Sequence, residues 1–373
     1  MIYLDYSATT PVNRQVLDTF NKVCLDYPGN SNSLHSLGVK SKELEDYATS
    51  EIAKMLGVKS SEIIYTSGAS ESNNLAIKGI CLKYQNRGKH IITTFLEHSS
   101  IIGPMNYLSN MGFEVDFVKI KDDGLVDLDH LKSLMRSDTI LVSICMVDSE
   151  IGLKQPIREI ADIVSEYPKC YFHVDCTQAY GKIPVDLTGV DLASMSAHKI
   201  YGMKGIGLLI KKENINIEPL IHGGKSTTVY RSGTPALPLI VSLMKALKLI
   251  IPKVSDNYQY VSKLNKKICD KLGCYDRVHI NSTENSIPNT INFSLKGIKP
   301  ETFVHALDEK EIYISTKSAC SSSNSMSNSV YALTKDKELS NGSLRISLSY
   351  MTTFEEVDKF LEVFDECYKK LEM

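Results

Sequence analysis

The chain has 373 residues, with 42 Lys and Arg against 44 Asp and Glu, so it is almost neutral. That balance gives no bulk-charge reason to expect a nucleic-acid or membrane-surface partner. No apolar stretch approaches a membrane span, and Met1-Ile2-Tyr3-Leu4-Asp5 lacks a basic leader, so a cytoplasmic, unprocessed protein is expected. Its length favours one large domain and a smaller one.

Residues 41–56 read as an amphipathic helix with Leu44, Tyr47, Ala48, Ile52 and Met55 on one face. A strand at 62–66 then enters Ser67-Gly68-Ala69-Ser70-Glu71, with a helix from about Ser72. Further strands are expected at 90–95, 113–120, 139–147, 170–175, 190–196 and 207–210, with helical patterns between most of them. This alternation implies an α/β domain with a mostly parallel sheet. From about Pro235 the pattern changes to a long helical stretch through Leu272, then short strands and helices at 289–295, 301–309 and 344–349. These read as a smaller α+β domain. A serine-rich run at 315–329 surrounds Cys320.

Nine cysteines, an odd count without a Cys-x-x-Cys pair, offer neither a disulfide framework nor a zinc signature, and no metal is expected. Cys24, Cys81, Cys145, Cys170 and Cys176 read as small core fillers. Cys320 sits in a polar stretch, where an exposed thiol is either an unused surface cysteine or one put to use.

Two polar residues close apolar runs. Asp175 ends the run 170–175, and Lys199 follows the run 190–196 across Ala197-His198. Open α/β sheets hold ligands at such carboxyl ends of buried strands. A carboxylate and a lysine at one rim suit pyridoxal phosphate, which takes a lysine amine in a Schiff base and an acidic partner at its ring nitrogen. A strand-end carboxylate and a solvated lysine fit these two residues equally well. Ser67-Gly68-Ala69-Ser70 suits a phosphate at a helix N-terminus, or an ordinary tight turn. Arg231-Ser232-Gly233-Thr234 offers a cation and a hydroxyl. His98 suits ring stacking and proton transfer, or a structural place at a strand end. Arg345, between apolar residues, offers a fork of donors for a substrate carboxylate.

These segments occur in one order with Tyr3-Leu4-Asp5-Tyr6-Ser7-Ala8-Thr9-Thr10-Pro11, Gly29-Asn30-Ser31-Asn32-Ser33-Leu34-His35, His222-Gly223-Gly224 and Ser318-Ala319-Cys320. Together they resemble, nearly end to end, the NifS/IscS-like cysteine desulfurases of the class V, fold type I aminotransferase superfamily. The resemblance implies an α/β fold type I architecture: a seven-stranded, mostly parallel sheet flanked by helices, plus the smaller α+β domain. It implies a large domain at 13–250, and a small one from 1–12 and 251–373 that carries the cysteine loop. It also implies that Lys199 carries pyridoxal phosphate, Asp175 pairs with the ring nitrogen, Gln178 bonds the ring hydroxyl and His98 stacks on the ring. Ala69, Ser70, Ser196 and His198 would hold the phosphate, with Thr234 supplied by the partner in a homodimer. Arg345 and Asn30 would bind the carboxylate of L-cysteine. Cys320 would take its sulfur as a persulfide and pass it to an acceptor, an iron–sulfur scaffold or a thiolation protein.

The chain departs from the resembling family at Ser149, where an asparagine is usual and helps to position the ring hydroxyl and substrate. Lys317 stands for a glycine, Met203 for a proline and Ser70 for a threonine. Ser149 leaves open another class V reaction, such as selenocysteine lysis or transamination, or a catalytically weak sulfur-relay role.

Overall fold

The computed structural model describes residues 1–316 and 326–372. Its strands are β1 (Ile2–Tyr3), β2 (Ile63–Thr66), β3 (His90–Thr93), β4 (Glu114–Phe117), β5 (Thr139–Cys145), β6 (Tyr171–Asp175), β7 (Leu192–Ser196), β8 (Gly207–Lys211), β9 (Val278–Ile280), β10 (Thr290–Leu295), β11 (Ile312–Tyr313) and β12 (Ser343–Ser347). Seven of them form a central sheet in the order β2-β8-β7-β6-β5-β3-β4. The neighbours from β7 through β4 are parallel, and β8 runs against both β7 and β2.

Every residue of β5, β7 and β8 is buried, as expected where helices cover both faces. The period of two divides the apolar residues between those faces. Ile92, Val142, Val174, Ala193 and Leu208 join a core with Ile52, Ile160, Leu243 and Leu247. Ile91, Leu141, Leu192 and Leu209 join another with Leu75, Ile77 and Ile80 of helix Ala69–Tyr84 and Met105 of helix Ser99–Ser109.

A third core surrounds the antiparallel sheet β12-β10-β9 and includes Phe293, Phe303, Phe360 and Phe364. The N-terminus belongs to it: β1 pairs with β11, and Leu4 is fully buried there. The chain then crosses to the large sheet, where the Thr10 N–H bonds the His198 carbonyl at 2.9 Å. The long helical stretch read from the sequence is two helices, Leu237–Ile250 and Val254–Leu272. Pro252 lies in the 3-10 turn between them, without an N–H to continue the ladder. Leu243 and Leu247 pack in the large core, while Val261, Leu264 and Ile268 pack in the small one.

Three local expectations are corrected. The helix expected from residue 41 begins at Ser36, and Tyr47 is exposed, with Lys248 Nζ 5.3 Å from its ring centroid. The helix expected from Ser72 begins at Ala69. Cys24 is exposed, while Cys81, Cys145, Cys170 and Cys176 are buried. Among the described residues no helix is long and apolar enough to cross a membrane, and no His, Cys, Asp and Glu group is placed to hold a metal.

Candidate active site

The ends of β6 and β7 open into a cavity of about 510 Å³, lined by Asp175, Gln178, Ser196, His198 and Lys199 together with Ala69, Ser70, His98 and Ser149. Nine residues singled out in the sequence therefore meet in one place.

The polar network fixes their orientations. Asp175 Oδ2 accepts from Asn73 Nδ2 at 2.8 Å, and Oδ1 accepts from the Thr177 N–H at 2.9 Å. Asn73 Nδ2 also donates to Ser100 Oγ at 2.9 Å. His98 Nδ1 lies 2.8 Å from that hydroxyl and accepts from the Ser100 N–H at 3.1 Å. Because the backbone N–H can only donate, the proton of neutral His98 belongs on Nε2. Burial is the main reason that the His98 pKa falls below the ordinary histidine range; Lys199 adds to the effect and Asp175 opposes it. Burial, with Lys199, Lys204 and Lys182 nearby, brings His198 down to about 4.

Lys199 reaches back to the N-terminal segment, donating to the carbonyls of Ser7 at 2.5 Å and Ala8 at 2.7 Å. Gln178 Nε2 donates to the same Ser7 carbonyl at 3.0 Å, while Gln178 Oε1 accepts from Lys182.

The start of helix Ala69–Tyr84 also lines the cavity; it begins without a side-chain cap, after Gly68 at φ 156°. Its first N–H groups are thus left for a ligand. The loop lies hard against β8: a Cβ on Gly207 would meet Gly68 Cα at 2.7 Å and the Met195 carbonyl at 2.5 Å, so only glycine fits there.

Several expected residues stand elsewhere. Arg231 pairs with Glu71 at 2.9 Å, and Thr234 lines a smaller cavity of about 90 Å³ that shares Ser67 and Gly205 with the main one. Asn30 is exposed, its side chain accepting from the Asn32 N–H at 2.9 Å. Arg345 is buried, held by Asp5 at 2.7 Å and by the Ser149 carbonyl at 2.9 Å, while its Nε has no partner among the described residues. Cys320 and Lys317 lie outside the described residues. On one side of that run Ser315 exchanges backbone hydrogen bonds with Arg345. On the other, Ser329 donates to Asp148 at 3.1 Å and Ser327 to Glu150 at 2.5 Å, the two acids that flank Ser149.

Sequence reading missed Asn73, Ser100, Asp5 and Lys182. Asn73 carried a signal: it stands one turn after Ala69 on the same helix, so a phosphate loop at Ala69 aims it at the sheet end.

The donor set fits pyridoxal phosphate on its own chemistry. An amine, a carboxylate held by two donors, an amide and an uncapped helix N-terminus line one cavity, and the buried Thr177 hydroxyl beside them has no partner among the described residues. Known proteins point the same way. The class-V aminotransferase family model matches residues 2–360. The cysteine desulfurase IscS of Dictyoglomus turgidum is 39% identical over 382 residues, covering 99% of this chain and 95% of that protein. A solved NifS-like protein matches with a TM-score of 0.94 at 36% identity, covering 99% of this chain and 100% of that one. The structure described as SspA in complex with cysteine matches at 0.83 and 31% identity, covering 95% and 100%. The chain belongs to the class-V aminotransferases and, within them, to the NifS/IscS cysteine desulfurase family.

Proposed function

We propose that this protein holds pyridoxal phosphate on Lys199 and moves sulfur from L-cysteine to Cys320, leaving L-alanine. The carrying observation is that Lys199, Asp175 and the uncapped start of helix Ala69–Tyr84 face one cavity. When bound there, pyridoxal phosphate supplies an electron sink for the substrate α-carbon.

In this reading Asp175, oriented by Asn73 and Thr177, opposes the ring nitrogen, and Gln178 donates to the ring hydroxyl. The N–H groups of Ala69 and Ser70, with Ser196 and His198, hold the phosphate, and Thr234 of a second copy completes it in a homodimer. His98, with its proton on Nε2, gives and takes protons at the substrate. Arg345, whose buried Nε has no partner among the described residues, and Asn30 bind the substrate carboxylate. The Cys320 thiolate attacks the substrate sulfur: an S–S bond forms, the C–S bond breaks, and its electron pair stays with the carbon that takes a proton to become alanine. The persulfide then passes to an acceptor, an iron–sulfur scaffold or a thiolation protein, in the cytoplasm. Residues 13–250 form the cofactor domain, and 1–12 with 251–373 form the domain that brings the cysteine.

Purified protein is expected to be yellow, to be fixed by borohydride at Lys199, and to form alanine and sulfide from L-cysteine in the presence of a thiol reductant. Lys199→Ala is expected to lose both the fixed label and all turnover. A Lys199→Ala protein that still traps the cofactor covalently would reject the assignment.

A further inference from the structure

Lys182 is a buried basic group that this mechanism leaves unused. It is buried, four residues after Gln178, and no carboxylate pairs with it among the described residues. Burial and the charges of Lys199 and Arg345 hold its pKa down to about 7. A lysine buried without a counter-charge costs stability, and here the position is filled by one that reaches a single side chain. The Ser7 carbonyl can only accept, so the Gln178 atom facing it is the amide nitrogen and the atom facing Lys182 is the carbonyl oxygen. The amide nitrogen is thereby turned the other way. One of its hydrogens goes to the Ser7 carbonyl at 3.0 Å, and the second is left for the cavity that Gln178 lines. The Ser7 carbonyl also accepts from Lys199, so the two lysines stand at opposite ends of one hydrogen-bonded chain. A cavity of about 10 Å³, the size of one water, touches both lysines, Asn257 and Asn289.

We propose that Lys182 is a positioning residue for the cofactor's ring hydroxyl: it fixes the Gln178 amide so that an N–H, and not the carbonyl, meets that oxygen. The proposal rests on the reading that pyridoxal phosphate is held on Lys199. Without the lysine the amide keeps only its bond to the Ser7 carbonyl among the described residues, and its second N–H is no longer held toward the ring oxygen.

The test follows the visible band of the pyridoxal phosphate-loaded enzyme against pH in the wild type, Lys182→Met, Lys182→Gln, and Lys182→Met on a Gln178→Ala background. Losing a fixed N–H at the ring oxygen favours the protonated form. The midpoint in Lys182→Met is therefore expected to rise by roughly half a pH unit or more, about threefold in proton affinity. Lys182→Gln is one bond shorter but still presents an N–H to Gln178, and it is expected to keep most of the wild-type midpoint. On the Gln178→Ala background the methionine is expected to add no further shift. An unmoved midpoint in Lys182→Met, equal shifts in Lys182→Met and Lys182→Gln, or a further shift in the double variant overturns the proposal. Should Lys182→Met not fold, Lys182→Ala takes its place; if neither folds, the lysine is a structural post and the proposal falls. A wild-type protein in which borohydride fixes nothing to Lys199 defeats the reading of the site itself, so the two failures are distinct.

Discussion

The residues suited to a cofactor stand mainly on the ends of β6 and β7 and at the start of helix Ala69–Tyr84, whereas those suited to a substrate come from three separate places. Asn30 lies in an early loop, Arg345 on β12 of the small sheet, and Cys320 beyond the described residues; Ser149, in the turn after β5, lies between the two sets. Strands buried on both faces hold the first set in register, so Asp175 and Lys199 meet across one rim. The second set meets only as far as two separate cores are brought together. A rigid half for the cofactor and an assembled half for the substrate is the division that experiments can attack.

The largest separation is expected from Cys320→Ser. If the cysteine belongs only to the substrate half, alanine and sulfide formation should fall to background while the yellow colour and the borohydride label on Lys199 persist. Sulfide release at the wild-type rate would move sulfur transfer to another group and remove Cys320 from the mechanism. Loss of colour in the same variant would instead show that the halves are not separable.

Asn73→Ala attacks the rigid half. Asn73 donates to Asp175 Oδ2 and to Ser100 Oγ, the hydroxyl that bonds His98. A hydrogen bond to a charged group contributes about 1.5–3 kcal/mol, so cofactor binding is expected to weaken by roughly tenfold or more. Equilibrium dialysis against pyridoxal phosphate measures it. An unchanged dissociation constant would mean that Thr177 alone suffices to hold the carboxylate.

The same division explains what was legible in the sequence. The seven strands were visible as short apolar runs, whereas Asp175 and Lys199, which close two of them, fitted a solvated strand end equally well until the ordered motifs around them were read together. Helix starts were less so. Ser-Gly-Ala-Ser reads as a turn, yet the missing Cβ at Gly68 and Gly207 lets the helix begin at Ala69 against β8. Tyr47 was placed on a buried face because periodicity counts apolar residues and cannot see a lysine such as Lys248 above the ring. Asn73 and Lys182 were missed for a common reason: a polar side chain that serves another polar side chain leaves no period and no composition signal. Arg345 shows the converse. Its apolar neighbours marked it as unusual, but the sequence gives no sign that Asp5, 340 residues away, would already hold its guanidinium.

The smallest effect is expected at the seam between the halves, from Ser149→Asn. Ser149 lines the cavity, and its carbonyl accepts from Arg345. A serine hydroxyl is shorter than an asparagine amide and offers one donor where the amide offers two and a carbonyl. In the family this chain belongs to, the asparagine usual there serves ring hydroxyl and substrate together. Restoring it adds one neutral hydrogen bond, about 0.5–1.5 kcal/mol, and leaves the backbone contact with Arg345 in place. Turnover on L-cysteine is therefore expected to rise severalfold with cofactor affinity little changed, read from initial rates of alanine formation beside a pyridoxal phosphate titration. A fall in rate would mark Ser149 as fitted to this enzyme's own substrate or to the carboxylates on either side of it. A rise in cofactor affinity as large as the rise in rate would place the residue in the rigid half.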